Sequence, residues 1–310
     1  MYLVTGVGGQ LASKVADEML NLLPAEELIF SASDISRIKP ENLKRWREKG
    51  VDIRQANYDD IPQMKEAFEG VDRMLLVSTW EIGPIRRKQH ANAIQAAKEK
   101  GVKYIAYTSF IGADIAENTP LVASDHRDTE QNILASGMQW NFIRNSLYFD
   151  SLFQLFAPLA ANFGNKWRGN TGDVKSGYVA REDCSRVAAA VLAGKAETNQ
   201  AYEVTGAELL SEKDLCQMVC DYSGWPGEYI EMTDEELYAY WDSQGVPREV
   251  TGDFSNSPVP FCSDDLVQNG ASVRSGHFVK LTDTVEKLTG HKPQRAQDII
   301  GQYEAFLPTA

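Results

Sequence analysis

The sequence predicts an α/β protein: a doubly wound parallel sheet followed by a smaller C-terminal α/β lobe. Three observations predict it. Short apolar runs alternate with amphipathic stretches at ~25 to 30 residue spacing as far as Ser146, the signature of repeated βαβ units. Two of the runs, MLLVS and YIAYTS, are almost continuously apolar, as strands covered on both faces must be. The 310 residues, 43% apolar and 24% charged, suffice for a large buried core and are ordinary for a globular chain.

The elements follow in order. YLVTG is a short buried strand, and LASKVADEMLNLL an amphipathic helix with Leu11, Val15, Met19 and Leu22 on one face. ELIFSAS is the second strand. PENLKRWREKG is a helix with Pro40 in its first turn and Gly50 closing it. VDIRQAN is strand-like, IPQMKEAFEG helical and RMLLVST the fourth strand. A helix through HANAIQAAKEKG leads to the strand KYIAYTS, and the helix DHRDTEQNILASG to the strand WNFIRNS. Beyond it the alternation loosens. SLYFDSLFQLFAPLAANFG reads as an apolar helix, CSRVAAAVLAG as a helix of small residues, AYEVTG as a strand and SEKDLCQMVCDYSG as a Ser-capped helix. From Trp225 to about Arg274 Pro, Gly, Ser and acids accumulate. The expected division is residues 1–150, a nucleotide-binding sheet domain, and 151–310, a substrate-binding lobe leaning on the sheet edge.

Composition narrows the function. A net charge of −13 weighs against a nucleic-acid surface, which needs clustered Lys and Arg. No apolar run approaches the ~20 residues of a membrane span, and Met1 leads straight into a strand with no secretory pattern. The expectation is a cytoplasmic chain, as monomer or homodimer. Cys216 and Cys220, one helical turn apart, read as packing residues. His90, His126, His277 and His291 are scattered, so no metal site is expected.

TGVGGQLASKV, from Thr5, carries the strongest signal. A phosphate-binding βα turn needs one glycine for the bend, one for backbone approach to the pyrophosphate, and a third small residue for helix–strand packing. Gly6, Gly9 and Ala12 occupy these places, directly after a strand and before a helix. The anion would rest on the N–H groups opening the helix at Gln10. Asp34 lies 25 residues past Gly9, where a carboxylate takes the ribose hydroxyls and repels a 2′-phosphate. Arg37 pulls the other way. The balance favours NAD(H), with NADP(H) possible.

With TGVGGQLA, RQANYDD, QHANAIQAAKEKGVKYIAYTS and FIRNSLYFD read together, the chain resembles the NmrA-like atypical short-chain dehydrogenases/reductases. Within that group it is similar to bacterial NAD(P)H:quinone oxidoreductases and triphenylmethane reductases, clearly through about Asp150 and more loosely afterwards. The resemblance implies a Rossmann-type fold. It also implies that Gly6, Gly9, Gln10 and Leu11 hold the dinucleotide. Ser33, Asp34 and Arg37 at the second strand, Ser78 and Thr79 after the fourth, and Thr108 and Ser109 at the fifth would join them. Asn57 and Tyr58 stand where the family has Asp-Tyr near the adenine. Relatives usually carry Arg in place of Ser33 to grip the 2′-phosphate of NADPH, and that departure leaves the family's NADPH preference without its anchor here.

The chemistry must differ from that of typical short-chain dehydrogenases. In those, the Lys of a Tyr-x-x-x-Lys pair lowers the Tyr pKa; no Tyr here has Lys four residues on. His126, expected to open the helix after the fifth strand, is the candidate proton donor, near the place where the resemblance puts a catalytic Lys in benzylic ether reductases. Asn145 and Tyr148, in RNSLYFD, are expected at the mouth of the cleft, where they would hold the nicotinamide amide or a flat substrate. Arg144 reads as structural. Phe149, Phe153, Phe156, Phe163 and Trp167 either wall a ring-shaped pocket or fill core. Trp225, Tyr229, Tyr238, Tyr240 and Trp241 read as lobe packing, with a lid as the alternative. The expected activity is hydride transfer between nicotinamide and a small aromatic or conjugated carbonyl compound such as a quinone. Two alternatives stay open: an NAD-dependent alcohol dehydrogenase, and a non-catalytic NAD(P)-sensing regulator like NmrA.

Overall fold

The apolar runs become strands of one seven-stranded sheet in a computed structural model of the chain, which describes residues 1–118 and 120–310. Six come from the first half: β1 (Tyr2–Val4), β2 (Leu28–Ala32), β3 (Asp52–Gln55), β4 (Arg73–Leu76), β5 (Tyr104–Phe110) and β6 (Gln139–Asn145). After β7 (Lys166–Gly169), the AYEVTG segment supplies the seventh, β8 (Gln200–Val204). The order is 3-2-1-4-5-6-8 and every pairing is parallel. Chain order reverses between β1 and β4, and the crevice beyond the carboxyl ends of those two strands is where such sheets take ligands.

Side chains alternating along each strand feed two cores. On one face Val4, Phe30 and Leu75 pack under α1 (Gln10–Leu22) and α2 (Pro40–Glu48). On the other, Leu3, Ile29 and Met74 meet α3 (Ile61–Ala67), α4 (Pro84–Glu99) and α5 (Leu121–Ser136). Both α4 and α5 start earlier than their apolar periodicity indicates, because Pro84 and Pro120 fix the backbone of their entries.

The expected helix after β6 is present as one continuous helical run, α6 (Phe149–Ser151) passing through a π turn over Leu152–Phe156 into α7 (Ala157–Asn162). Pro158 explains the π turn: it lacks the N–H that would close an α-turn onto the Gln154 carbonyl. The spatial boundary also differs from a cut at residue 150. α8 (Arg181–Leu192) lies against α1, and β8 closes the edge of β6, so residues 181–204 belong to the sheet layer. The small side chains of Ala188, Ala189 and Ala190 let α8 approach closely.

The remaining C-terminal elements form the lobe. β7 pairs in parallel with β9 (Glu228–Glu231). Around this pair lie α9 (Glu212–Ser223), α10 (Asp234–Ser243) and α11 (Ser263–Arg274), while α12 (Thr284–Thr289) returns to α8 and α13 (Ala296–Ile299) packs on the lobe core. Neither short strand is evident from the sequence; KWRG and EYIE are too polar and too brief to show a period of two. No helix of the described residues is long and apolar enough to cross a membrane.

Candidate functional site

The glycine turn opens α1 at the crevice. Gly6 has φ +70°, a backbone conformation that disfavours any β-carbon, and Gly9 N donates to the Gly6 carbonyl at 2.9 Å. Gly9 caps α1, and no side chain satisfies the first turn of the helix. Its N–H groups therefore face the crevice as an anion site. Gln10 Oε1 accepts from Arg181 Nη1 at 2.5 Å, pinning this end to α8, and Leu11 packs half-buried on the core.

At the end of β2, Ser33, Asp34 and Arg37 are exposed. Asp34 Oδ1 accepts from Ser36 N at 2.8 Å, capping the turn Ile35–Arg37. Hydrogen bonding from Ser36, helped by the Arg37 charge, holds its carboxyl below the usual range, so it is ionised at neutral pH. A β-carbon on Gly8 would stand 3.4 Å from Arg37 Cβ, so the arginine stem rests on the glycine turn. Asp34 and Arg37 thus flank the same groove.

Several expected contacts are committed inside the protein. Tyr58 is buried and its hydroxyl donates to Thr5 Oγ1 at 2.5 Å; Asn57 bonds locally to Gln63 and Asp59. Thr108 Oγ1 accepts from Ser78 N at 2.8 Å, and Ser109 Oγ donates to Glu130 at 2.6 Å. These hydroxyls shape the loop ends rather than present free donors. Thr79 Oγ1, by contrast, is buried without a partner.

A cavity of about 330 Å³ runs from the ends of β5 and β6 into the lobe. Ser78, Ser109, His126, Asn145 and Tyr148 line its sheet side; Phe156, Phe163, Trp167, Tyr240 and Trp241 wall the lobe side. Phe149 and Phe153 are core instead, while Trp225 is buried behind the lobe with its indole bonded to Asn165. Asn145 Nδ2 donates to the Tyr148 hydroxyl at 2.9 Å, leaving Asn145 Oδ1 buried and unpartnered. An orphaned acceptor of this kind costs about 1–3 kcal/mol unless a ligand meets it. Burial raises the Tyr148 phenol, so it stays protonated. Arg144 is structural: it grips Glu130 through Nε at 3.0 Å and Nη2 at 2.7 Å.

His126 does not open its helix. α5 begins at Leu121, and the preceding Asp125 sends its carboxylate to Gly83 N at 2.6 Å to brace the loop after β4. His126 therefore sits in the second turn, 5% exposed and stacked on Phe110 with ring centroids 5.9 Å apart. Burial, with Arg86 and His90 nearby, pushes its pKa well down, so the ring is neutral.

The hydrogen-bond pattern assigns its tautomer. Thr79 N donates to His90 Nε2 at 3.1 Å, and burial lowers His90 to about 3, so His90 carries its proton on Nδ1, facing Thr129 Oγ1 at 2.9 Å. Thr129 hands its own proton to the Asp125 carbonyl. The Tyr107 hydroxyl is then free to donate to His126 Nδ1 at 2.7 Å, which leaves the proton on Nε2 of a ring that lines the cavity. Sequence reasoning passed over Tyr107, His90 and Glu130. The one available signal was the spacing of His126 and Glu130, four apart on one helix face. Among the described residues no group of three or more His, Cys, Asp or Glu is placed to hold a metal ion.

Comparison with known proteins identifies the family and the fold. The profile of a family described as NAD(P)H-binding matches residues 6–195. Quinone oxidoreductase 2 of Escherichia coli (strain K12) is 30% identical over 292 residues, 94% of each chain. The crystal structure of an NADPH-dependent quinone oxidoreductase from Escherichia coli, complexed with NADPH, superposes with TM-score 0.82 at 28% identity, covering 97% of this chain and 99% of that one. The triphenylmethane reductase of Citrobacter sp., complexed with NADP(H), gives TM-score 0.80 at 25% identity over 98% and 100% of the two chains.

Proposed function

The chain belongs to the NAD(P)H-binding family and is an NAD(P)H-dependent oxidoreductase; from that premise we propose that it reduces flat aromatic or conjugated carbonyl compounds, quinones among them, with His126 donating to the substrate oxygen. What supports the reading is His126, which lines the cavity, is kept neutral by burial and has its Nδ1 2.7 Å from the Tyr107 hydroxyl, an arrangement that favours the proton on Nε2.

The residues present fit a dinucleotide. The uncapped start of α1 and Gly6–Gly9 would hold its pyrophosphate, and Thr79 Oγ1 and Asn145 Oδ1 offer unpartnered atoms to its carboxamide end. Reduced nicotinamide, when bound, supplies the hydride. His126 Nε2–H then meets the negative charge that develops on the substrate oxygen, acting as a neutral electrophile rather than an imidazolium. Asn145 and Tyr148 orient the ring, and the aromatic wall excludes water. The proton is finally supplied by solvent as product leaves, because a buried neutral imidazole is a strong hydrogen-bond donor but a poor acid.

For the nucleotide, Asp34 supports NADH over NADPH: it is ionised, keeps Oδ2 for a ribose hydroxyl and repels a 2′-phosphate, while Arg37 keeps NADPH binding from being abolished. The experiment is direct. Purified protein with NADH should lose the nicotinamide absorbance on adding a quinone, with kcat/KM for NADH above that for NADPH. Asp34→Asn should raise kcat/KM for NADPH about tenfold, the scale of removing one charge ~5 Å from a dianion in water. Nucleotide binding without turnover on a broad quinone and enone panel would sink the proposal. An unchanged NADPH value in Asp34→Asn would remove Asp34 as the discriminator.

A further inference from the structure

The lobe end of the cavity holds an acid for which hydride transfer has no use. Glu212, the first residue of α9, lines the cavity there with Trp167, Gly169 and Tyr178. Gly169 makes the room: a β-carbon on it would lie 2.7 Å from Glu212 Oε2 and 2.7 Å from the Tyr229 hydroxyl. The Tyr178 hydroxyl, on a residue 3% exposed, finds no partner.

Glu212 forms no ion pair among the described residues. On its own helix, Asp214 takes Lys175 at 3.1 Å. From β7, Arg168 is spent over the Tyr240 ring, 4.1 Å from its centroid, and on the Phe163 carbonyl; Lys166 also lines the cavity, exposed and without an ion pair among the described residues, and the Trp167 indole hydrogen-bonds the carboxylate. From β9 come Tyr229 and Glu231, whose oxygens are occupied by each other and by Gly172 N. Cys216 stands one turn along α9. The helix start favours a charged carboxylate. Burial and then Glu231 oppose it and push Glu212 up to about 7, so the group is poised to ionise when a counter-charge arrives.

We propose that this end of the cavity is a subsite for an organic cation, a quaternary or protonated nitrogen carried by a flat apolar substrate, with Glu212 as counter-ion and Trp167 and Tyr178 as its aromatic walls. The inference deepens the reductase reading and rests on it. A carboxylate without an ion-pair partner, in a cavity end lined by Trp167 and Tyr178, matches the recognition of a desolvated ammonium, which rings attract through their quadrupoles. It also offsets the cost of a desolvated acid that has no ion-pair partner, because the substrate supplies the opposite charge.

The test uses the full chain with NADH and a matched pair of acceptors, a neutral quinone and the same quinone bearing a quaternary ammonium group. The ratio of kcat/KM, cationic over neutral, should be about tenfold at roughly pH 8 and fall toward one below about pH 6, as Glu212 takes up its proton. In Glu212→Gln the ratio should be near one at both. Asp265, which lines the cavity from α11 and is also raised by burial, is the competing titrating group; a ratio that survives Glu212→Gln overturns the proposal. Should that variant not fold, a wild-type ratio that is flat between about pH 6 and 8 overturns it equally. Absence of turnover on both acceptors counts against the reductase reading alone. Quenching of tryptophan fluorescence by benzyltrimethylammonium then decides: tighter binding at the higher pH supports the subsite, and pH-independent binding overturns it.

Discussion

His126→Phe should lower kcat by roughly 10²–10³-fold, the cost of losing one preorganised donor at a developing oxyanion. Phenylalanine keeps the stacking on Phe110 and the volume of the site, so dissociation constants for the nucleotide should stay within about twofold. The wild-type pH profile is part of the same prediction. An imidazolium acid would lose activity as pH rises through the usual histidine range of about 6.5. Burial keeps this ring neutral throughout, so kcat should be flat there. Tyr107→Phe removes the hydroxyl that fixes the tautomer and should lower kcat about tenfold with little change in KM. Stopped measurements of kcat and KM across pH check all three statements. An alkaline limb near pH 6.5 would show that a charged imidazole is used.

Glu130→Ala should be the most destabilising single change near the site. The carboxylate is 7% exposed and takes the Arg144 guanidinium at 2.7 Å and the Ser109 hydroxyl at 2.6 Å. Removing it strands a cation that is itself only 12% exposed. Breaking a buried pair in this way costs about 3–5 kcal/mol. The second partner of Arg144, Asp114 at 2.7 Å, is half exposed and recovers a fraction of that. The melting temperature should fall on the order of 10 °C. Glu130→Gln, which retains an acceptor for Ser109 and the shape of the side chain, should cost about half as much. A melting temperature within about 2 °C of wild type for the alanine variant would remove this pair from the stability of the site.

The sheet was legible because its strands are buried on both faces and its glycine turn sits at a strand–helix junction, both local patterns. Strand order could not be read, since nothing local distinguishes AYEVTG as the partner of β6 from a strand of the lobe; Asn141 opposite Gln200 and Asn145 opposite Val204 make that pairing over long range. The groove beside Gly6 and Gly9 was legible for the same reason as the turn. The histidine network was not. His90 and His126 lie on different helices, 36 positions apart, and meet only because Tyr107 reaches between them from β5. Glu212 gave no signal at all, since an acid in the first turn of a capped helix is what any exposed helix shows.

The return of the chain to the sheet after the lobe also bears on how the molecule can be divided. A fragment ending at residue 150 would lack α8, leaving Val15, Ala16 and Met19 of α1 bare, and would present β6 as a raw edge open to any other strand. The nucleotide-binding half is therefore not a portable module. A genetic fusion, a split reporter or a domain swap built on it would have to carry the chain through Val204, and with it the lobe strand β7 that lies on the way.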